Sequence, residues 1–380
     1  MKRFVWFCLL LIAVLMSTDL SAATTTSTHA AGSQWPLYIG ISIFGLVTAL
    51  GTSNLTLADW AKRLDPDGKV PMIVELLSQT NEVLTDMQWI EGNLPTGHRT
   101  TVRTGLPAVA WRILNQGVSP SKSTTAQVDE PTGMLECWSE VDKDLALLNG
   151  NINAFRMSEA EAFIEAMNQE VVQTLFYGNT GTAPEEFLGL SPRYSAISGA
   201  ANASNVISAG GSGSDNSSVW LVVWGKNTIS GLFPKGSKAG LIHEDKGEQI
   251  VYGANGIGAS RLVVLSERWQ WKCGLMVKDW RYAVRICNID ISDLTAKSSA
   301  ADLTELMIKA YHRIPSFKVG RPAFYMNRTV FQMLDIQRRD DVASGGGFTF
   351  ENVDGTVRPT FRGIPINKVD QLLETEATVV

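Results

Sequence analysis

The sequence predicts a mixed α+β fold, and three features indicate it. Residues 158–177 carry apolar side chains four positions apart, which is the spacing of an amphipathic helix. Residues 269–277 alternate between two sets of side chains, as in a strand that turns one face to a core. Residues 99–137 combine strand-forming segments with a polar tip, which predicts a long hairpin. No repeat of fixed period is visible.

Length and composition fit a folded globular body. The chain has 380 residues, enough for one large domain or two closely packed ones. Hydrophobic residues make up 44% and charged residues 19%, and both signs are scattered, with a net charge of −5. This argues against a nucleic-acid-binding surface, because phosphate binding needs clustered Lys and Arg. The 11 tryptophans predict extensive apolar packing, within the chain or between subunits.

The cysteines do not predict a disulfide framework. Cys8 lies in an apolar leader, and Cys137, Cys273 and Cys287 lie in the body without CxxC spacing. We therefore expect unpaired thiols in a reducing compartment.

The first 46 residues differ from the rest. A basic start, the apolar run Phe4–Met16 and small residues at 21–23 resemble a secretory signal. A second apolar stretch, Leu37–Leu50, is shorter than the roughly 20 residues that span a bilayer. Val47 is a candidate start, because a GTG codon encodes valine internally and initiates translation in bacteria. We expect residues 1–46 to be a signal-like extension from an over-extended gene model.

Two helices are predicted ahead of the hairpin, over Leu57–Leu64 and Val70–Met87. In the hairpin, Thr101–Thr104 and Ala108–Ile113 are predicted strands, and Gln127-Val128 returns beside them. A long exposed hairpin leaves open sheet edges unless another chain covers them. The hairpin therefore predicts contact with a second subunit.

The clearest predicted helix covers residues 158–177. Ser158 and Glu161 have the spacing of a capping box, in which each side chain satisfies a free backbone N–H. One apolar stripe follows, formed by Phe163, Met167, Val171 and Leu175. Residues Ser195–Ser218 are rich in Ser, Gly, Ala and Asn and predict a flexible loop.

Several strands and helices are predicted in the second half of the chain. Val219–Trp224 is an apolar strand, and the alternation over 269–286 changes phase after Asp279, which indicates a bulge or tight turn. The remaining elements are a helix at Asp302–Arg313, a strand at Ala323–Met326 ending in the N-cap Asn327, a helix at Arg328–Gln337 and a strand region at Phe361–Val369.

The sequence nominates no catalytic, cofactor-binding or metal-binding residue. His243-Glu244-Asp245 is a run of adjacent residues whose side chains point in different directions in regular structure, so a solvated loop is predicted there. No nucleophile elbow or phosphate-binding loop is present. We predict that the chain is not an enzyme and holds no cofactor.

Several motifs together resemble one protein family. Phe324–Thr329 is an aromatic strand ending in Met-Asn before a helix, and Gly363–Ile366 follows about 35 residues later. Asn93–Arg99, Phe176–Asn179 and Asp279–Tyr282 add to the pattern. From about Leu55 to its end, the chain resembles the major capsid proteins of tailed phages with the Hong Kong 97-type fold, in a podophage-like subgroup.

The resemblance implies an organisation into an N-terminal arm at 47–98, an extended hairpin loop at 99–137, a peripheral domain at 138–295 with the spine helix 158–177, and an axial domain at 296–380. The sequence departs from the family in two ways. Residues 1–46 have no counterpart, and the strands at 261–286 precede the Met-Asn unit, so the order looks permuted.

The resemblance also implies a function. It is that of a structural subunit of an icosahedral phage head, which assembles with itself into pentamers and hexamers and encloses the DNA genome without sequence-specific binding. Scaffolding, portal and decoration proteins are implied partners. The implied location is the virion capsid, assembled in the bacterial cytoplasm without a membrane, and the signal-like segment conflicts with it. The candidate subunit-interface residues are Trp111, Arg112, Val128, Trp269, Trp271, Trp280 and Arg281.

Two other functions are considered. An exported bacterial cell-surface protein, β-rich and ligand-binding, would account for the leader and the tryptophans, and cell fractionation separates it from a capsid subunit. A hydrolase rests only on scattered acidic residues and histidines. It would require an activity that is lost on substitution of a single Glu or His.

Overall fold

The computed structural model describes residue 79 and residues 81–148, 152–252, 261–297, 300–340, 348–353 and 356–380. The chain divides into two compact units, Met1–Ser53 and Asn54–Val380, and every described residue belongs to the second. The signal-like extension, the helix predicted at Leu57–Leu64 and most of the helix predicted at Val70–Met87 lie outside the described residues. Of the latter, Val83–Asp86 is helical.

Strands make up most of the regular structure among the described residues. They are β1 Trp89–Glu91, β2 Gly97–Gly105, β3 Thr124–Pro131, β4 Gly133–Asp142, β5 Val206–Ser208, β6 Asn216–Trp224, β7 Ile229–Phe233, β8 Leu241–Tyr252, β9 Arg261–Val277, β10 Ala283–Asp290, β11 Arg321–Met326, β12 Phe348–Val353, β13 Thr356–Phe361 and β14 Ile364–Lys368. All but two join one large sheet, whereas β2 and β3 form a separate two-stranded ribbon.

The α-helices flank the sheet. They are α1 Val83–Asp86, α2 Lys143–Leu147, α3 Ile152–Tyr177, α4 Leu190–Arg193, α5 Ile291–Ala296, α6 Leu303–Arg313 and α7 Arg328–Asp340. No helix in the described ranges has the length and apolar character needed to cross a bilayer.

Strand β6 lies at the centre of the sheet and is buried on both faces. It pairs antiparallel with β10 and β11, and β11 pairs parallel with β14. Trp220 and Trp224 belong to the apolar core that includes the end of α3. Leu221 and Val223 belong to the core formed with α6 and α7. Burial from both sides explains why the predicted strand is a continuous apolar run.

Helix α3 has 26 residues and is therefore about 39 Å long. The predicted stripe is confirmed, because Met167, Val171 and Leu175 are buried and Phe163 stacks on Trp269, with 5.5 Å between ring centroids. The predicted start at Ser158 is wrong. The helix already begins at Ile152, and the Ser158 hydroxyl donates to the carbonyl of Phe155 at 2.8 Å instead of capping an end.

Strand β9 is the longest strand described and pairs with β4, β8 and β7. Its Trp269 and Cys273 are buried on the face toward α3. The solvated loop predicted at His243 is wrong, because His243 lies in β8 directly opposite Trp269 and stacks on it with 5.1 Å between centroids. The polar residues of β8 are typical of an exposed edge strand, not of a loop.

The change in side-chain alternation after Asp279 marks a tight turn, which is one of the two predicted alternatives. Trp280–Tyr282 forms a 3-10 turn in which the Asp279 carboxylate accepts from the Arg281 backbone N–H at 3.0 Å. The turn sends β10 to the centre of the sheet, beside β6. The predicted boundary between the peripheral and axial domains, after residue 295, does not divide the sheet. Strand β6, before the boundary, pairs with β11, after it.

The helices predicted after residue 300 are confirmed. Asp302 caps α6 by accepting from the Glu305 N–H at 2.9 Å, and the four predicted core positions, Leu303, Leu306, Met307 and Ala310, are buried. Asn327 accepts from the Thr329 N–H at 3.0 Å and so caps α7. Its amide also donates to the carbonyl of Leu372 at 2.6 Å, which ties the cap to the C-terminal segment.

The double role of Asn327 leads to a prediction. We expect Asn327→Ala to lower the free energy of unfolding by about 1–2 kcal/mol, because it removes a helix cap and leaves a buried carbonyl unpaired. Urea unfolding measures the change. Gln332→Ala, at an exposed position of the same helix, is the matched control and should change stability by less than about 0.5 kcal/mol. Equal effects of the two substitutions would contradict the role.

The C-terminal segment 371–380 lies against the centre of the sheet. Glu376 is buried, its carboxylate accepts from Arg285 at 2.8 Å, and it also bonds the hydroxyls of Tyr177 and Ser218. Val379 and Asn288 exchange two hydrogen bonds of 2.8 Å. Burial, and then the Glu376 charge, raise the pKa of Tyr177 well above its usual value, so the phenol remains a donor.

Candidate subunit-interface surface

The ribbon formed by β2 and β3 extends away from the large sheet. Its pairs run from Gly97 opposite Pro131 to Gly105 opposite Thr124. Nine residues of strand give it a length of about 30 Å. The predicted limits of 99 and 137 are therefore corrected to 97 and 131, because Gly133 already starts β4 and pairs with β9. An isolated two-stranded ribbon is marginally stable in water unless something packs on it.

The ribbon ends in the tip loop, residues 106–123. The strand predicted at Ala108–Ile113 is wrong, because the tip loop contains no strand. It is held by two local bonds, from Gln116 N–H to the Ile113 carbonyl at 3.1 Å and from the Ser121 hydroxyl to the Ala108 carbonyl at 2.7 Å. Without a partner strand, these residues lack the cross-strand bonds that their β propensity would otherwise support.

The tip loop exposes a set of large apolar side chains. They are Leu106, Val109, Trp111, Ile113, Leu114 and Val118. Trp111 is fully exposed, so it makes no packing contact in its own chain. Clustered exposed apolar side chains mark protein–protein interaction sites more often than free surface. The tip loop is thus a candidate contact with another subunit.

The base of the ribbon is fixed to the body. Glu130 is 3% exposed and accepts two hydrogen bonds from the Arg193 guanidinium, at 2.8 and 2.5 Å. Bidentate pairs of this kind also fix the relative orientation of the two side chains. At Gly97 an added Cβ would lie 2.2 Å from the Glu130 carbonyl oxygen, so only glycine fits. No sequence pattern pointed to the Glu130–Arg193 pair, because 63 positions separate its members.

An exposed ion pair links the two strands of the ribbon. The Arg99 guanidinium donates to both oxygens of Asp129, each at 2.6 Å. This hydrogen bonding lowers the pKa of the Asp129 carboxyl. Asn93 also exchanges two hydrogen bonds with the backbone of Arg99, at 2.7 and 2.9 Å.

The lowered pKa of Asp129 predicts that acid weakens the ribbon. A folded-state pKa below the unfolded value gives a stabilisation that is present above the ordinary pKa of about 3.9 and is lost as the pH falls through the folded value. We expect NMR contacts between Thr100 and Val128 in the unassembled chain to weaken below that pH. In Asp129→Asn they should lose this dependence. An Asp129 carboxyl that titrates at or above its ordinary pKa would contradict the prediction.

Three of the candidate interface residues lie on the ribbon and its tip. Trp111 and Arg112 are exposed in the tip loop, and Val128 on β3 is 39% exposed. These three side chains are accessible to a neighbouring subunit. The other exposed apolar residues of the tip loop are not among the residues predicted from the sequence.

The other four candidates lie elsewhere. Trp269 is 2% exposed and sandwiched between Phe163 and His243, so its nomination is wrong: the side chain completes its own core. Trp271 and Trp280 are half-buried and pack against the core beside α3. Arg281 is exposed and forms an ion pair with Asp279 at 2.7 Å.

The face of the long strands opposite α3 is partly exposed. Trp138 on β4 is half-exposed, and the Arg268 guanidinium lies over its ring, 5.8 Å from the centroid. Gln270 and Glu136 are hydrogen-bonded across the strands at 2.7 Å. Alternation in β4 could have predicted this face, but no residue of it was nominated.

The described part of the chain contains no group of acidic, histidine or cysteine side chains arranged to hold a metal ion. Its cysteines, Cys137, Cys273 and Cys287, are free thiols. Burial raises the pKa of Cys273 to about 12, which leaves it a poor nucleophile.

Comparison with known proteins identifies the family. The sequence model described as "Major capsid protein GP7" matches residues 65–380. The chain belongs to this family. The chain is also similar to a chain in the structure of bacteriophage Epsilon15, with 33% identity and a TM-score of 0.70 over 87% of this chain and 98% of that one. It matches a chain of the bacteriophage JBD30 capsid at 11% identity and a TM-score of 0.41, over 86% of this chain and 98% of that one. No curated protein matches.

These findings establish the general function. The predicted Hong Kong 97-type α+β fold is confirmed, and the chain is a structural subunit of a phage head, located in the virion capsid. It assembles into capsid oligomers. The alternative of an exported cell-surface binding protein receives no support from them.

Proposed function

We propose that the chain assembles with itself into pentamers and hexamers that close into an icosahedral shell around the DNA genome, and that it has no catalytic activity. The observation that carries the proposal is the ribbon at 97–131, rigid at its base and apolar at its exposed tip. A side chain that touches nothing in its own subunit is stabilised when a sister copy covers it. Closed rings also require the same surface on every copy to meet one complementary surface.

We also propose a division of the chain into four structural units. The arm is assigned to residues 47–96, since 97 and 98 belong to the ribbon. The extended hairpin is assigned to 97–131, the peripheral domain to 138–295 around the spine helix α3, and the axial domain to 296–380. The last two share the sheet through β6 and β11. Scaffolding, portal and decoration proteins are proposed as further partners, with assembly in the host cytoplasm.

Sedimentation velocity and negative-stain electron microscopy of the purified chain test the proposal. We expect rings of five and six subunits, together with closed or tubular shells, once the concentration passes a threshold. A single monomeric species that persists at high concentration would contradict it.

A further inference from the structure

The tip loop and a cavity at the base of the ribbon are chemically complementary. The cavity has a volume of about 230 Å³ and lies where β4, β9 and the end of α3 meet the segment before α4. Its apolar lining is formed by Met134, Leu135, Val171, Phe187 and Cys273. An apolar cavity of about 150 Å³ already holds benzene, so this one has room for an aromatic ring.

The rim of the cavity is acidic. Glu170 and Glu185 are exposed, and Glu186 is half-exposed beside them. No ion pair among the described residues involves any of the three. The rim therefore presents uncompensated negative charge around an apolar interior.

The tip loop and the strands beside it have the opposite character. Residues 100–128 contain Arg103, Arg112 and Lys122 and neither Asp nor Glu, although the chain as a whole has a net charge of −5. None of these three cations is in an ion pair within the described ranges. Arg112 follows Trp111 directly, and Trp and Arg are the residue types most enriched at the energetic centres of interfaces.

The tip loop does not reach the cavity of its own chain along the ribbon. The cavity is lined by Gly133, two residues beyond the end of β3, whereas the tip loop begins at the other end of a ribbon about 30 Å long. The base of the ribbon is also held by the Glu130–Arg193 pair. To enter the cavity of its own chain, the tip loop would have to break the paired ribbon or its attachment at the base. We therefore take a second copy of the chain as the source of the tip loop that fills the cavity.

We propose that the tip loop of one subunit docks on this cavity of a second copy, with Trp111 in the apolar interior and Arg112 against the rim glutamates. The proposal rests on the proposed function, because it needs a sister subunit. It adds the specific receiving site and the charges that select it. Opposite charges on the two sides also set the register of docking.

Charge reversal in the full chain tests the pairing. We expect Arg112→Glu, and separately Glu185→Lys with Glu186→Lys, each to raise the assembly threshold concentration at least roughly tenfold. The combination of all three should return the threshold to within roughly threefold of wild type, because the charges again match. Lys238→Glu reverses an exposed cation elsewhere and should leave the threshold unchanged. Circular dichroism and thermal unfolding verify that each variant is folded.

A mixed-disulfide experiment tests the contact between copies. Chains carrying Ile113→Cys are mixed with chains carrying Glu186→Cys, assembled and oxidised. We expect a disulfide-linked dimer from the mixture, and none from either variant alone or from wild type. If wild-type chains assemble while the reversals fail to compensate and the mixture gives no dimer, the docking site is wrong and the capsid function stands. If wild-type chains remain monomeric, both proposals fall.

Discussion

Glu376→Ala should lower the free energy of unfolding by about 3–5 kcal/mol, the cost of leaving a buried charge without its partner. Arg285 is buried and bonds Glu376 at 2.8 Å, Ser218 at 3.1 Å and the Tyr194 carbonyl at 2.9 Å. Without the carboxylate, the guanidinium charge remains in an apolar centre beside Trp220. Urea unfolding followed by fluorescence measures the loss.

Two companion variants show whether the unpaired charge of Arg285 causes the loss of stability. Glu374→Gln alters a partly exposed carboxylate in the same segment and should change stability by less than about 0.5 kcal/mol. Arg285→Met combined with Glu376→Leu removes both charges and should recover much of the loss, since well-packed apolar pairs often replace buried ion pairs without cost. If the double variant is as unstable as Glu376→Ala, the unpaired charge of Arg285 is not the cause of the lost stability.

Replacing the tip loop by a two-residue Asn-Gly turn should raise the assembly threshold at least roughly a hundredfold, the effect of losing a few interface hot spots. The same change should leave the subunit's unfolding midpoint nearly unaltered, because the tip loop is held only by bonds within itself. Asn-Gly suits the tight turn that such a ribbon requires. Light scattering against concentration gives the threshold.

The control for this prediction keeps the length of the tip loop and changes its chemistry. All six exposed apolar side chains, those of residues 106, 109, 111, 113, 114 and 118, are replaced by serine. If apolar contact drives assembly, this variant should be impaired nearly as much as the shortened one. Normal assembly of the serine variant would show that the length of the tip loop, rather than its side chains, is what matters.

The fold was predictable where local patterns coincide with burial. The stripe from Phe163 to Leu175 and the core positions of α6 follow helical periodicity, which survives in any packed context. The cap at Asn327 is likewise a local device. In contrast, the predicted flexible loop at Ser195–Ser218 includes Ser217 and Ser218, which are fully buried in β6. Polar composition predicted exposure to solvent, but the Ser218 hydroxyl bonds Glu376 and Arg285, which lie 158 and 67 positions away along the chain. Such distant partners cannot be read from neighbouring residues.

The candidate surface was predictable only in part. Trp111 and Arg112 lie in the segment Ala108–Ile113, which the sequence predicts as a strand and which is an exposed loop, so only their place on a long exposed hairpin indicated that they are accessible. Trp269 has the same residue type as Trp111 but alternates within a long strand, and the helix α3 covers it. Sequence alone does not state which face of a strand a distant helix will cover. The cavity and its acidic rim join segments from four parts of the chain, which no local pattern connects.

A density map of the assembled shell tests the central claim most directly, namely that the ribbon at 97–131 reaches a sister subunit. Its decisive feature is the position of residues 106–123. We predict density for Trp111 in contact with a neighbouring copy in every ring. Density that instead shows the tip loop folded against its own subunit, with no contact to a neighbour, would contradict the claim.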